Sequence, residues 1–411
     1  MGFLSGLLAE KRSNESFSIK NPPDFLKSIW GGYDTKAGVE VSETTSLSLT
    51  AVWSCVIMRA RIMASFPRPV YKRLDPRGKE RDSSHPLYSV LHDKPNPEMS
   101  AFDWSMQMSI SYDIWGAGIS EIEYDNSGNV KHLWPIPAWR VKPKRIVKTD
   151  NLVYEVSGYN GKTKILRPEQ VLIFKFFPWG RDGWLSPIGV HRETIGSALA
   201  VKEFGARTFG QGVNPAGILT GVTFGDEDTE ESLQKKYSAY SGLGQSHRLM
   251  LLEEGHTYTK VGLPPEDAQY LETRKADLAE VARIYSMPLF LLQETEKSTS
   301  WGSGLEELKS GLIAFTMRPT CVQWEQEINN KLFDSRDWFT EHVMDGLLRG
   351  NIKDRFEAYQ IGSAMGVYSI NDMLELENMN PLTPEIGDTR LVPLNMQTLE
   401  NAIQGGDNNA Q

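Results

Sequence analysis

The chain has 411 residues, of which 40% are hydrophobic and 24% are charged. This is an ordinary globular composition, and the length suffices for about two or three packed units. The formal net charge of −9 argues against a tight grip on DNA, because tight DNA binders neutralise phosphates with an excess of Lys and Arg. The two cysteines, Cys55 and Cys321, are too few for a disulfide framework or a thiolate zinc site.

The sequence also argues against a membrane protein. No apolar run approaches the roughly 20 residues that cross a bilayer. The opening sequence MGFLSGLLAEKR has an apolar stretch too short for a signal peptide, and its charges follow that stretch instead of preceding it. These features predict a soluble, intracellular protein.

Residues 1–45 are rich in Ser, Asn, Lys, Glu, Gly and Pro, which predicts a mobile N-terminal arm able to order against a neighbour. Residues 46–185 then alternate between helical and strand patterns. The segments HPLYSVLH and FDWSMQMSISYDIWG predict helices, whereas PVYKRL, ISEIEYD, VKHLWPI and parts of NLVYEVSGYNGKTKILRPEQVLIFKFF predict short strands. Leu49 to Phe66 predicts a helix with one face formed by Val52, Val56, Arg59 and Met63. Residues 46–185 therefore predict a mixed α+β unit.

Two long helices flank a small insertion. The first is predicted over residues 186–213, because Ser186 is a good N-cap and Pro187 suits the first helical position. The insertion of residues 214–262 has a mixed α/β pattern, and the second helix follows within residues 263–292. Three glycines lower the intrinsic stability of the first helix, which predicts that it packs closely against other helices.

A connector with the sequence QETEKSTSWGSG follows the second helix, and a loop of this length is usually functional or disordered. It consists of Gln293, Glu294, Thr295, Glu296, Lys297, Ser298, Thr299, Ser300, Trp301, Gly302, Ser303 and Gly304. Beyond it, residues 305–345 predict a long helix of about 29 residues, with a capping box at Ser303 and Glu306 and a kink at Pro319. Residues 346–395 are again helical, and residues 396–411 predict a disordered tail.

The sequence gives little reason to expect catalysis. Residues 161–163 read GKT, but a phosphate-binding loop needs a glycine where Val156 stands, so Asn160–Gly161 predicts a hairpin turn. No G-x-S-x-G elbow and no pair of histidines at metal-ligand spacing occurs. We therefore predict no catalytic, cofactor-binding or metal-binding residues and no cofactor.

Two clusters have a second interpretation. A run of carboxylates could hold a divalent metal, although a solvated acidic helix start is favoured about five to one; it comprises Asp226, Glu227, Asp228, Glu230 and Glu231. A set of tryptophans could stack on single-stranded nucleic acid, although packing in cores and interfaces is favoured about four to one; it comprises Trp115, Trp134, Trp139, Trp179 and Trp184.

Four stretches together resemble the portal proteins of tailed bacteriophages, in the form found in long-tailed lambdoid phages. They are SLSLTAVWSCVIMRARIMASFPRPVYKR, the segment from HPLYSVLHDKPNPEMS to PIPAWRV, WLSPIGVHRETIGSALAVKEFGARTFGQGVNPAGILTG and GVYSINDMLELENMNPL. They span most of residues 46–395 in the family's order, whereas the N-terminal arm matches nothing in it. The resemblance implies a ring-forming α+β portal fold, usually of twelve subunits, at one capsid vertex.

The resemblance also assigns parts of that fold. It implies an α/β wing at residues 46–185, stem helices at 186–213 and 263–292, and a small α/β clip at 214–262. It further implies a tunnel loop at 293–304 that projects towards DNA in a central channel, a long kinked helix and a return to the wing at 305–345, and a helical crown at 346–395.

The partners implied by the resemblance are further copies of the chain, double-stranded DNA held weakly, the terminase large subunit, the major capsid protein and a head–tail adaptor. The acidic run in the clip is the expected docking region, and the expected location is the virion after assembly in the host bacterial cytoplasm. ATP hydrolysis would belong to the terminase. Two other classes stay open at this point: a structural capsid or tail adaptor without a DNA channel, and a metal-dependent nuclease.

Overall fold

A computed structural model of the chain describes residues 35–158, 161–211, 218–220, 257–259, 267–293, 308–344, 352–377 and 379–390. The chain divides into two compact units. The first unit comprises Met1–Trp301 and Gly311–His342, and the second comprises Gly302–Ser310 and Val343–Gln411. The second unit thus resumes at Val343, close to residue 346, where the sequence predicts the start of a separate helical region.

Among the described residues, six helices have thirteen or more residues and the others are short. Numbered in chain order, they are α1 (Glu43–Ser46), α2 (Thr50–Ser65), α3 (Pro86–Tyr88), α4 (Ala101–Trp115), α5 (Pro187–Val190), α6 (Arg192–Gln211), α7 (Asp267–Ile284), α8 (Arg318–Leu332), α9 (Ile352–Ala364), α10 (Ile370–Leu376) and α11 (Pro384–Gly387). Two π-helical segments occur at Ser89–Asp93 and Leu312–Met317, and 3-10 turns occur at Ala138–Arg140, Pro168–Gln170 and Leu289–Leu292.

The strands form small sheets in which every neighbouring pair is antiparallel. They are β1 (Val70–Arg73), β2 (Lys79–Arg81), β3 (Ala117–Tyr124), β4 (Val130–Ile136), β5 (Val141–Arg145), β6 (Leu152–Ser157), β7 (Thr163–Leu166), β8 (Val171–Lys175), β9 (Phe177–Trp179), β10 (Gly183–Leu185), β11 (Ile218–Thr220), β12 (Thr257–Thr259) and β13 (Trp338–Thr340). The three-stranded sheets have the orders β13-β1-β2, β4-β3-β8 and β5-β6-β7, and β9-β10 and β11-β12 are two-stranded. The antiparallel pairing confirms the predicted α+β class.

An aromatic stack forms the centre of the first unit. Phe174 of β8 and Trp324 of α8 lie parallel, with ring centroids 4.0 Å apart. Trp104 of α4 meets both rings edge-on at 6.3 Å and 6.5 Å. All three side chains are fully buried, so their contacts hold α4, β8 and α8 together.

Helix α4 occupies a fixed position because both of its ends are specified locally. The Ser100 hydroxyl accepts the Asp103 N–H at its start. At its end Gly116 adopts a left-handed conformation with φ of +78°, and a β-carbon there would collide with the Leu185 carbonyl. The ends predicted from FDWSMQMSISYDIWG are therefore confirmed.

Two predicted elements differ from the structure. Residues 35–45 do not belong to a mobile arm, because Val41 is fully buried and Ser42 caps α1. The predicted helix of residues 186–213 is two helices with a break at His191, next to Gly189, which weakens the helical backbone. Ser186 does cap α5 as predicted, by accepting the Gly189 N–H at 3.2 Å.

The long helix predicted after residue 304 is interrupted as its proline suggests, but over a longer stretch than a simple kink. Pro319 lacks an N–H and cannot bond to the carbonyl of Phe315. The preceding Arg318 N–H bonds to the Ile313 carbonyl, five residues back, and the backbone of Leu312–Met317 is π-helical. The irregular segment therefore lies just before Pro319 and not at it.

Candidate functional site

The tunnel loop predicted at residues 293–304 lies almost wholly outside the described residues, with Gln293 as the exception. Gln293 ends the Leu289–Leu292 turn in a left-handed conformation with φ of +65°. The other predicted loop residues outside the described part are Glu294, Thr295, Glu296, Lys297, Ser298, Thr299, Ser300, Trp301, Gly302, Ser303 and Gly304. The predicted docking residues Asp226, Glu227, Asp228, Glu230 and Glu231 also lie outside it.

The structure does describe the two chain segments from which this loop departs, and they meet. The hydroxyl of Thr316, in the π-helical segment after the loop, donates to the Ser286 carbonyl at 2.8 Å. Ser286 lies just after α7 and has φ of +51°, a conformation that non-glycine residues rarely adopt. The backbone therefore turns sharply at Ser286, where the chain that precedes the loop is hydrogen-bonded to the chain that follows it.

A buried ion pair contacts the backbone next to Ser286, whose carbonyl accepts the hydrogen bond from Thr316. Arg59 of α2 donates from Nε to both carboxylate oxygens of Asp113 in α4, each at 3.1 Å. The same guanidinium donates from Nη1 to the Tyr285 carbonyl at 3.1 Å, and the Tyr285 hydroxyl donates to the Asp113 carbonyl at 3.3 Å. We call Arg59, Asp113, Tyr285, Ser286 and Thr316 the loop anchor.

The loop anchor is a low-dielectric environment, because Arg59, Asp113 and Tyr285 are all almost completely buried. Burial alone would lower the pKa of Arg59, but the charge and hydrogen bonds of Asp113 raise it above its ordinary value. Burial raises the pKa of Tyr285 well above its usual value, so the phenol stays neutral. The pair is therefore a charged, hydrogen-bonded cross-link between α2, α4 and the end of α7.

A second buried arginine has a different environment. Arg68 lies with its guanidinium 5.0 Å from the centre of the Trp104 ring and donates weakly to the Leu91 carbonyl at 3.4 Å. Burial lowers its pKa to about 10. Nearby, His342 is fully enclosed and its Nδ1 lies 2.9 Å from the Glu325 carboxylate. These groups belong to the aromatic core and not to the loop anchor.

Sequence reasoning missed the loop anchor, although one signal was present. Arg59 lies on the apolar face of α2 with Val52 and Met63, and a charge in such a position has a buried partner more often than a solvent contact. Asp113 stands within the apolar pattern of SYDIW on the next long helix. No comparable signal marks Ser286 or Thr316.

The structure does not unite the five tryptophans into one platform. Trp115 and Trp139 touch, with ring centroids 4.4 Å apart, and Trp134 donates from Nε1 to Glu123 at 2.7 Å. Trp184 packs against the β-sheet core, whereas Trp179 is 61% exposed beside Phe177. Packing is thus the main role of four of them, and Trp179 is the exception.

The GKT sequence is a hairpin turn, as predicted. Strands β6 and β7 pair antiparallel on either side of it, from Ser157↔Thr163 onward. The Gly158 N–H donates to the Lys162 carbonyl at 2.7 Å, and Gly161 has φ of +73°. A phosphate-binding loop would require a helix after the glycines, and β7 follows instead.

Neither a metal centre nor a membrane span is found in the part of the chain that the structure describes. Within that part of the chain, no three His, Cys, Asp or Glu side chains are grouped so as to hold a metal ion. Among the same residues no helix is both long enough and apolar enough to span a bilayer.

The chain is similar to known phage proteins along most of its length. It is 29% identical over 349 residues to the portal protein of Enterobacteria phage HK97, an alignment that covers 83% of this chain and 81% of that protein. It is 28% identical over 416 residues to a protein named "Probable portal protein" from Streptomyces phage phiC31, with 96% and 89% covered.

Solved structures share the fold at low sequence identity. A crystal structure of an HK97-family phage portal protein from Corynebacterium diphtheriae matches with a TM-score of 0.53 at 16% identity, covering 77% of this chain and 97% of that one. The neck of a native gene transfer agent particle, computed with C12 symmetry, matches with a TM-score of 0.57 at 17% identity, covering 82% and 92%. The family model described as phage portal protein matches residues 50–378, so this chain belongs to the phage portal protein family.

Proposed function

We propose that this protein assembles into a closed ring, most often of twelve subunits, at one vertex of a phage capsid. The ring surrounds a channel through which double-stranded DNA passes during packaging and ejection. Head-to-tail contacts that return on themselves form such rings. The proposed location is the virion, after assembly in the host bacterial cytoplasm.

The single observation that carries the channel assignment is the loop anchor. A loop that touches moving DNA needs a base that does not move with it. The two segments that flank residues 293–304 are tied to each other through Thr316 and Ser286, and to the buried Arg59–Asp113 pair. Binding loops held by a rigid scaffold are a common functional arrangement.

The chemistry of the loop suits passage better than capture. Lys297 provides one cation per subunit, and Ser298, Thr299 and Ser300 provide short polar groups. Each phosphate that a protein neutralises adds affinity, so a weak, repeated contact lets DNA slide. Trp301 is assigned to anchoring the loop against protein, because a large apolar ring gains more from burial than from a sliding polar contact.

The channel role has a direct test. Replacing residues 294–304 with a Gly/Ser linker of equal length should leave ring assembly and capsid incorporation nearly normal, while DNA packaging or retention fails. A matched control replaces the exposed turn of residues 146–151 in the same way and should package normally. Full-length DNA retained by the first variant would contradict the channel role.

Residues 214–262 form the proposed docking region for the terminase large subunit during packaging and for the head–tail adaptor afterwards. Ile218–Thr220 pairs with Thr257–Thr259, and these short strands bring the two ends of the region together. The remaining surface of the ring is assigned to the major capsid protein. The carboxylates between Asp226 and Glu231 would steer a basic partner surface.

Partner steering also has a direct test. Changing Asp226, Glu227, Asp228, Glu230 and Glu231 to their amides should slow association with the purified terminase large subunit at low salt, and leave the ring intact. The difference from the parent should shrink as salt is raised, because exposed charges are screened. If the amide variant and the parent associate with the terminase at the same rate at low salt, these carboxylates do not steer the partner.

A further inference from the structure

The first compact unit has an apolar groove beside α4 that the loop anchor does not involve. The groove has a volume of about 240 Å³. Its walls come from α4 and from the segment that ends β4 and leads into the next turn. The half-buried apolar lining residues are Met106, Ile110, Trp115, Pro135, Pro137 and Trp139.

These side chains are half-buried, so each keeps part of its apolar surface in water. The indoles of Trp115 and Trp139 lie against each other at a tilt of 47° and form much of the groove wall. Covering such a surface is favourable in proportion to the apolar area removed from water. The groove therefore has the character of a docking site for a short apolar segment.

We propose that residues 25–30 of this chain, FLKSIW, occupy the groove, either in the same subunit or in its ring neighbour. Phe25 and Leu26 are followed at a spacing of four by Ile29 and Trp30. Residues with this spacing lie on one face of a helical turn. The segment thus offers a compact apolar surface comparable in size to the groove.

The position of Thr35 places this segment within reach. A β-carbon at Gly196 would collide with the Thr35 side chain, so Thr35 lies directly on α6. Ser186 lies about 15 Å from Gly196 along the two helices that join them. The Ser186 hydroxyl donates to the Ile114 carbonyl at 2.8 Å, so Ser186 lies next to the end of α4. Trp115 follows Ile114 and lines the groove, so the path from Thr35 to the groove is roughly 25 Å.

Residues 25–30 have the right distance from Thr35 along the chain. They precede it by five to ten residues, which span roughly 17–34 Å when extended. Gly31 and Gly32 lie between, and they give the connection a wide choice of backbone angles. Residues 3–8, FLSGLL, have the same apolar spacing but no cation between the apolar pairs.

Charge distinguishes the two candidate segments. Asp103 is exposed on the groove edge, where the Ser100 hydroxyl donates to it at 2.6 Å, and no described residue forms an ion pair with it. Lys27 stands between the two apolar pairs of FLKSIW. Opposite charges at the edge of an apolar contact fix its register more than its strength.

Disulfide trapping in the full-length assembled protein tests this assignment. Cys55 and Cys321 are buried, so new cysteines can be introduced without competing thiols on the surface. Under mild oxidation, Ser28→Cys with Gln107→Cys should cross-link at least tenfold more than the matched pair Ser28→Cys with Glu80→Cys. Gln107 and Glu80 are both exposed, but Gln107 lines the groove on α4, whereas Glu80 lies on β2 and does not line it.

The pattern on a non-reducing gel identifies the occupant. A faster-moving single chain means that each arm fills its own groove, a ladder of multimers means that it fills a neighbour's, and both support the proposal. Adding Phe25→Ala with Ile29→Ala should abolish the excess, whereas Leu4→Ala with Leu7→Ala should not. The proposal is overturned if the yield equals that of the control, or if Gln107→Cys traps Ser5→Cys or another Gln107→Cys instead.

Discussion

The two compact units bury apolar side chains to very different extents. The first has a continuous core built around Trp104, Phe174 and Trp324, with the β-sheet cluster beside it. Among the described residues of the second unit, Met344 is the one large apolar side chain that is buried. The exposed large apolar side chains there are Leu308, Ile352, Phe356, Ile361, Met365, Val367, Met379, Leu382 and Ile386.

Polar contacts give the second unit its local geometry. Arg355 and Tyr359 of α9 donate to the Glu377 carboxylate at 2.9 Å and 2.8 Å. The Asn371 side chain donates to the Leu382 carbonyl and accepts the Leu382 N–H. Such contacts fix how the short helices meet but contribute about 1 kcal/mol each.

The first unit buries enough apolar surface within one chain to be stable by itself, whereas the described part of the second unit does not. The first unit gains its stability from its own core. The described part of the second unit has eight or more exposed large apolar side chains and buries few, and exposed apolar patches often mark interaction sites. Four changes test this contrast, from the largest expected effect on stability to the smallest.

The largest effect is expected at the loop anchor. Arg59→Met leaves the Asp113 carboxylate buried without its partner and should cost about 3–5 kcal/mol in the unfolding free energy of the first unit. Replacing both groups, as Arg59→Met with Asp113→Leu, should recover most of that loss. Urea unfolding followed by tryptophan fluorescence measures both, and a single change that costs less than the double would contradict the assignment.

The next effect contrasts one glycine from each unit. A β-carbon at Gly362 in α9 would collide with the Tyr368 ring, so Gly362→Ala should destabilise the second unit by about 1–3 kcal/mol. Gly311 has helical backbone angles and nothing within 4 Å, so Gly311→Ala should stabilise the first unit by about 0.5–1 kcal/mol. Hydrogen exchange of the amides in each unit measures the stability of that unit separately. If both substitutions changed stability in the same direction, the predicted difference between the two glycines would be wrong.

The sequence predicted local structure well where local chemistry decides it. The pattern from Leu49 to Phe66 predicted α2, which runs from Thr50 to Ser65, because apolar spacing and Pro67 mark a helix directly. The Ser186 cap and the turn at Gly161 were predictable for the same reason. The break at His191 was not, since Gly189 weakens a helix there without fixing where it ends.

The loop anchor depends on contacts that no local pattern encodes. Arg59 and Asp113 are 54 positions apart, and Arg59 and Tyr285 are 226 apart. An apolar helix face predicts that a charge on it needs a partner, but the partner is chosen by how the helices pack. The loop at residues 293–304 stays a prediction, whereas the contacts of the loop anchor were missed because no local pattern encodes them.

A smaller effect is expected from pH. Burial lowers the pKa of His342, and the Glu325 hydrogen bond only partly opposes this. The folded chain therefore keeps the imidazole neutral, so its contribution to stability is present above the usual pKa of about 6.5 and is lost as pH falls below it. His342→Gln removes the titration and should flatten the fall in unfolding free energy from pH 7 to pH 5 by roughly 1 kcal/mol.

The matched control for this change is His191→Gln. His191 is exposed and lies outside the aromatic core, so its replacement controls for the loss of a histidine as such. Chemical unfolding at several pH values gives both slopes. Parallel curves for His342→Gln and the parent would show that the buried imidazole does not set this part of the pH profile.

The smallest effect on chain stability should come with a large effect on assembly. Phe356 and Ile361 are 53% and 62% exposed, so Phe356→Ser with Ile361→Ser should change the unfolding free energy of the dissociated chain by less than about 0.5 kcal/mol. If neighbours cover these side chains in the ring, each subunit loses the burial of two large apolar groups, about 1.5–3 kcal/mol apiece when complete. That loss recurs at every interface, so the ring should require a much higher protein concentration to form.

Val147→Ser provides the control, since Val147 is fully exposed on a turn of the first unit and should not affect assembly. Light scattering across a concentration series compares the variants, and a ring that forms at the parent's concentration would mean that the apolar surface of the second unit serves another partner.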